Sequence, residues 1–226
     1  MSELVYYEMT HGIARIELRH GKANAISCEV IDQVNHCLDH AEQAQAVVII
    51  TGSSSIFSAG YDLNVLSKGK DDAKKLVKKG SLLAKRLLSC PLPVIAACNG
   101  HAIAKGAFLL LSVDYRLGVS GSYRIGLNEV KIGITLHHAG LAIADYRLSP
   151  NYFQRSVLCA EMFNPEEAVK AGFLDKVVSE TQLTSEAWKL ALAMKELDSK
   201  AHGATKIKAR TAIIERLDKA IAEDDV

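Results

Sequence analysis

Apolar positions along the chain fall into two periods, and the alternation between them sets out the elements. Apolar and polar residues roughly alternate over residues 4–8 and 13–18, which predicts two strands joined by a turn at His11-Gly12. Val30, Ile31, Val34, Leu38 and Ala41 then recur at helical spacing, with Ser27 placed to cap the helix. Residues 46–51 form an unbroken apolar run, as expected of a strand covered on both faces. The Ser- and Gly-rich residues 52–60 read as a loop. Residues 72–89 predict a helix with Leu76, Leu83 and Leu87 inward and Lys74, Lys75, Lys78 and Lys79 toward water. Residues 93–98 read as a buried strand, followed by a glycine turn at Asn99-Gly100 and a buried helix after Gly106. Residues 115–119 predict one more strand.

Beyond residue 148 the helical period dominates. Ser149-Pro150 marks one helix start, and Asn164-Pro165-Glu166-Glu167 a second, with Asn as cap and Pro at the first helical position. Gly172 ends that helix. Val177-Val178 is a short strand, and residues 184–197 and 203–222 predict two amphipathic helices. Strands followed by helices in repeated units give an α/β fold. Residues 1–180 read as its core and residues 181–226 as a helical region suited to oligomerisation, with Ile207, Ile213, Ile214 and Leu217 facing either a neighbour or the chain's own core.

An apolar fraction of 49% supplies ample core, and a net charge of +1 gives no electrostatic case for nucleic acid or a membrane surface. The apolar runs are too short to span a bilayer, and residues 1–5 lack a secretory pattern. Cys28, Cys37, Cys90, Cys98 and Cys159 are scattered and odd in number, so reduced thiols in a cytoplasmic protein are expected. A phosphate-binding loop needs Gly-Lys-Ser/Thr, and Ala104-Lys105-Gly106 has the wrong order; the dinucleotide and serine-hydrolase glycine motifs are also missing.

Two loops carry the candidate chemistry. Ile56-Phe57-Ser58-Ala59-Gly60-Tyr61-Asp62-Leu63 and Cys98-Asn99-Gly100-His101-Ala102-Ile103-Ala104-Lys105-Gly106-Ala107 each follow a buried strand. Two such loops can each aim one backbone N–H at a common point, forming a two-donor oxyanion hole.

These loops, with Asp114-Tyr115-Arg116-Leu117, Ile125-Gly126-Leu127-Asn128-Glu129-Val130-Lys131-Ile132-Gly133 and the later Glu167-Ala168 … Gly172-Phe173-Leu174-Asp175 … Val177-Val178, resemble the crotonase (enoyl-CoA hydratase/isomerase) superfamily over nearly the whole chain. The resemblance implies a crotonase-like spiral of ββα units with C-terminal helices, assembled as homotrimers or hexamers. It implies a CoA-thioester substrate, with coenzyme A part of that substrate and no separate cofactor or metal. The oxyanion donors it implies are the backbone N–H groups of Tyr61 and Lys105. Lys105 departs from the glycine usual there, and its side chain is expected either in solvent or near the thioester.

Hydratases of the family use two glutamates. The second corresponds to Glu129, and the first to Phe108, which cannot transfer protons. One carboxylate with an apolar partner suits a shift of the double bond from 3-enoyl-CoA to 2-enoyl-CoA, and the sequence is most similar to the delta-3,delta-2-enoyl-CoA isomerases. Lys22, Ala59, Asp62 and Leu63 correspond to positions near the CoA moiety. His137 and His138 depart from the family's Pro-Gly turn and either line the acyl pocket or are plain helix-start histidines. The alternatives are a hydratase with a substitute acid, another reaction of the family (thioester hydrolysis or decarboxylation), and an acyl-CoA-binding protein without turnover.

Overall fold

The computed structural model describes residues 4–224. Its main sheet has six strands: β1 (Val5–Thr10), β2 (Ile13–Leu18), β3 (Val47–Gly52), β5 (Val94–Cys98), β7 (Tyr115–Val119) and β10 (Lys176–Val178), in the order β1-β2-β3-β5-β7-β10. The β1–β2 hairpin is antiparallel, and every later pairing in this sheet is parallel. The unbroken apolar run of β3 is explained by burial on two faces. Val48 and Ile50 belong to the core beneath α1 (Cys28–Gln43), α3 (Lys70–Ser89) and α4 (Lys105–Leu111), while Val47 and Ile49 pack under α8 (Leu183–Lys195) through Leu183, Ala187 and Ala191.

A second, smaller sheet was not predicted. The loop at residues 52–60 contains β4 (Ile56–Ser58), and between the expected glycine turn and its helix lies β6 (His101–Ile103). With β8 (Ile125–Gly126) these form three short parallel strands, closed by antiparallel β9 (Met162–Phe163). The helix, expected after Gly106, starts at Lys105 with Ala104 at its N-cap position. Each chain unit now runs from a strand of the main sheet to a strand of the small sheet and then to a helix: β3-β4-α2 (Leu63–Leu66), β5-β6-α4, and β7-β8 leading to α5 (His138–Arg147). This is the ββα spiral that the resemblance implied.

The local signals held where capping chemistry is explicit. Ser27 accepts from Val30 N–H at 3.3 Å, Asn164 accepts from Glu167 N–H at 2.8 Å with Pro165 following, and Gly172 ends α7 (Pro165–Ala171) at φ 98°. Ser149 precedes α6 (Pro150–Val157) without a side-chain cap. Among the described residues, none of the five cysteines forms a disulfide, and no helix is long and apolar enough to cross a membrane.

The last helix, α9 (Ser199–Glu223), packs on α3 and α5. Ile213 and Leu217 enter the chain's own core, whereas Ile207 remains 41% exposed. A buried ionic cluster fixes this helix. Asp114 accepts from Lys206 Nζ at 2.7 Å and from Val94 N–H at 2.7 Å, and lies 2.9 Å from Arg210 Nη2. Lys206 also donates to Leu92 O and Arg210 to Leu88 O. Removing one partner of a buried ionic cluster leaves uncompensated charge in a poor solvent. Asp114→Ala should therefore lower the unfolding free energy by about 3–5 kcal/mol, measured by urea denaturation.

Candidate active site

The three parallel strands of the small sheet end at one level, since Ser58 pairs with Ala102, Ala102 with Ile125 and Ile103 with Gly126. The residues just past these ends surround a cavity of about 460 Å³: Ala59 and Tyr61 after β4, Ala104 after β6, Asn128 and Glu129 after β8. Loops beyond the carboxyl ends of parallel strands are where open α/β folds build sites. Leu63, Leu66, Val77, Ile132, Ile134 and His137 complete a largely apolar wall.

The two loop backbones meet closely. Gly60 has φ 108°, a region open to glycine, and a Cβ there would stand 3.1 Å from Ala104 Cβ and 3.6 Å from Lys105 N. Ala104 itself is held at φ 52° and ψ −119°, unusual for a residue with a Cβ, and immediately precedes Lys105, the first residue of α4. Among the described residues, neither Tyr61 N–H nor Lys105 N–H has a hydrogen-bond acceptor, although both neighbours of Tyr61 are engaged: Gly60 O accepts from Ile26 N–H and Asp62 N–H donates to Ile26 O. Two adjacent, unsatisfied donors beside an apolar hollow form an arrangement suited to an oxygen carrying negative charge.

Glu129 begins a short 3-10 turn over Val130–Ile132, anchored by Ile134 N–H donating to Glu129 O at 2.9 Å. Its Oε2 is buried and has no hydrogen-bond partner. Burial raises the carboxyl pKa to about 7, because the ionised form loses water without gaining a counterion. It is the one carboxylate on the cavity wall among the described residues.

The two histidines part company. His137 lines the cavity and stacks edge-on against Phe108, with ring centroids 5.8 Å apart. Burial, reinforced by the nearby Lys105 charge, lowers its pKa to about 4, so the imidazole is neutral at ordinary pH. His138 faces outward, 3.6 Å from Glu223, and its N–H together with that of Ala139 donates to Asp224, which caps α5 from the end of α9.

Four more expected positions fall elsewhere. Phe108 is 1% exposed and lies behind His137 rather than on the wall. Asp62 caps α2 by accepting from Asn64 N–H at 2.9 Å. Lys22 is exposed on a turn outside the cavity wall. The Lys105 side chain goes neither to solvent nor to the cavity. It is 2% exposed and donates from Nζ to Gly80 O at 2.6 Å. Ala59 and Leu63 do line the cavity. Leu66, Val77, Ile132 and Ile134 were missed; the apolar residues at 132 and 134, close after Glu129, were the available signal.

The raised Glu129 pKa has a stability consequence. Between the usual glutamate value and about pH 7 the folded protein keeps a proton that the unfolded chain releases, so stability falls as pH rises across that window. Glu129→Gln should therefore melt higher than wild type at about pH 8, with the difference shrinking toward about pH 5, measured by thermal denaturation.

Comparison with known proteins places this architecture. The family model described as enoyl-CoA hydratase/isomerase matches residues 8–225. A solved structure of an enoyl-CoA hydratase/isomerase family protein from Pseudomonas syringae superposes with a TM-score of 0.98 at 52% identity, covering 99% of this chain and 97% of that one. The mitochondrial enoyl-CoA delta isomerase 1 of Mus musculus is 30% identical over 99% of this chain and 83% of its own length. A probable enoyl-CoA hydratase of Bacillus subtilis is 33% identical over 57% of this chain, and the match spans 51% of that protein. The chain belongs to the enoyl-CoA hydratase/isomerase family, the crotonase family.

Proposed function

We propose that the protein is an enoyl-CoA isomerase that moves the double bond of a 3-enoyl-CoA to the 2-position. The observation that carries this reading is the lone cavity carboxylate, Glu129, with Phe108 standing where the family's hydratases have their other glutamate. The thioester oxygen accepts from Tyr61 N–H and Lys105 N–H. Glu129 takes a proton from C2, the two N–H groups hold the resulting dienolate, and the same carboxyl returns the proton at C4. Electrons and protons balance within the substrate, so neither water nor a cofactor is consumed. A carboxyl with a pKa near 7 suits this shuttle, since it must accept a proton and then surrender it. Each backbone donor contributes on the order of 3–4 kcal/mol to holding the developing oxyanion.

The mouse relative's description as a delta isomerase supports this reading. The exposed Ala59 and Leu63 rim is the place for the CoA arm, and Lys22 stands clear of the wall as a charge for its phosphates. A cytoplasmic trimer or paired trimer accompanies the reading, with the exposed Tyr146, Leu197 and Ile207 as the apolar positions a neighbour would cover. One observation favours a second reading, hydration: neutral His137 faces the same cavity and offers another proton-handling group.

Purified protein given a 3-enoyl-CoA should yield a 2-enoyl-CoA of unchanged mass, followed by absorbance and mass spectrometry. Efficient addition of water to a 2-enoyl-CoA would favour the hydratase instead, and binding without turnover would favour a carrier of acyl-CoA. Glu129→Gln should lower the isomerisation rate by roughly 10²–10⁴-fold. Because the base works only when ionised, wild-type kcat/KM should climb with pH through about 7 and then level off, read from a pH–rate profile.

A further inference from the structure

Lys105 is a fully buried ammonium that the proposed chemistry uses only for its backbone. Among the described residues it has no carboxylate partner; its one hydrogen-bond acceptor is Gly80 O, at 2.6 Å. Burial alone pulls its pKa down to about 7, which marks a charge kept in a poor solvent at a cost. Such a position is kept apolar in most cores, so the side chain must be weighed by what it holds in place.

It holds the same turn of α3 that Tyr61 holds. The Tyr61 hydroxyl donates to Val77 O at 3.4 Å, and the Lys105 ammonium donates to Gly80 O, three residues further along one helix. Lys105 Nζ also lies 5.8 Å from the centroid of the Tyr61 ring. Gly80 is the residue that lets this happen: a Cβ there would lie 2.1 Å from the Tyr61 hydroxyl oxygen. The two residues with acceptor-free N–H groups on adjoining loops thus send their side chains to the back of the site and anchor on one turn of α3. Glycine in a helix interior costs about 1 kcal/mol relative to alanine, an expense consistent with that close approach.

We propose that the Lys105 side chain is a positioning residue: anchored on Gly80 O beside the Tyr61 ring, it sets the separation and direction of the Tyr61 and Lys105 N–H groups. This rests on the reading that those two N–H groups hold the thioester oxygen. Neither N–H is fixed by an acceptor of its own: backbone bonds hold the chain beside them, Gly60 and Asp62 to Ile26 and Ala104 N–H to Gly126 O, and the Tyr61 and Lys105 side chains add the tie that both loops share, to one turn of α3. Loss of the anchor lets the α4 entry turn shift against the β4 loop, and a shift of about 1 Å at such a site costs on the order of 10²-fold in rate.

The test uses Lys105→Met, which keeps the unbranched apolar stem and removes the donor. Carbonyl-labelled butyryl-CoA, which has no double bond to move, is bound to each protein, and its carbonyl stretch is followed by infrared difference spectroscopy. In wild type the stretch should shift to lower frequency as two N–H groups polarise the carbonyl. In Lys105→Met the shift should fall by about half or more, kcat should drop roughly 10–100-fold, and KM should stay within about threefold. A full wild-type shift retained by Lys105→Met, with kcat unchanged, overturns the positioning role while leaving the site reading intact. No shift in wild type overturns the site reading, and the proposal with it. If Lys105→Met does not fold, Lys105→Gln carries the same comparison, with a shorter donor and a partial loss expected.

Discussion

Three parallel strands ending at one level constrain everything else in this molecule. β4, β6 and β8 contribute only short ladders, yet their register places Ala59 to Tyr61, Ala104 to Lys105 and Asn128 to Glu129 around one hollow. A slip of one residue in β6 would turn the Ala104 backbone away and exchange the inward and outward side chains of the strand. The large sheet gives that register its rigidity, because each short strand follows a long buried one after a short connection. Packing of the large sheet and the backbone bonds of the loops, such as Ala104 N–H to Gly126 O and Ala59 N–H to Ala23 O, fix this geometry together.

Poor solvation is the second determinant. Within one apolar neighbourhood burial drives Glu129 upward, His137 downward and Lys105 downward, each toward its neutral form. Glu129 on the cavity wall and Lys105 outside it thus sit close to the point where their charge changes, while His137 stays neutral and the fixed backbone dipoles supply polarity without charge. Tyr61 follows the same logic, its phenol pKa raised first by burial and then by the Glu129 charge.

The sequence made the long elements legible because their periods are local. α1, β3, α3 and α7 announce themselves through capping residues and apolar spacing, and the two loop motifs with Glu129 could be picked out by resemblance. β4, β6 and β8 could not be read, since two or three residues carry no period and their pairing is decided by partners remote in sequence, as Ile56 is from His101 and Ala102 from Ile125. Side-chain direction was the other hidden quantity. Whether Lys105 faces solvent or a helix carbonyl, and whether Phe108 lines the wall or backs a histidine, depends on tertiary packing that no local window contains. A single sequence trace of that packing was present in Gly80, a helix-interior glycine with a tyrosine hydroxyl against it.

The cap that Asp224 places on α5 joins two distant parts of the chain. His137 stands at the head of α5 and on the cavity wall, so the end of α9 is tied, through the His138 and Ala139 N–H groups, to the turn that carries one wall residue. If the end of α9 frays, those two hydrogen bonds are lost and the head of α5 beside His137 loses its cap, so the order of the chain's last helix and of one cavity wall would rise and fall together.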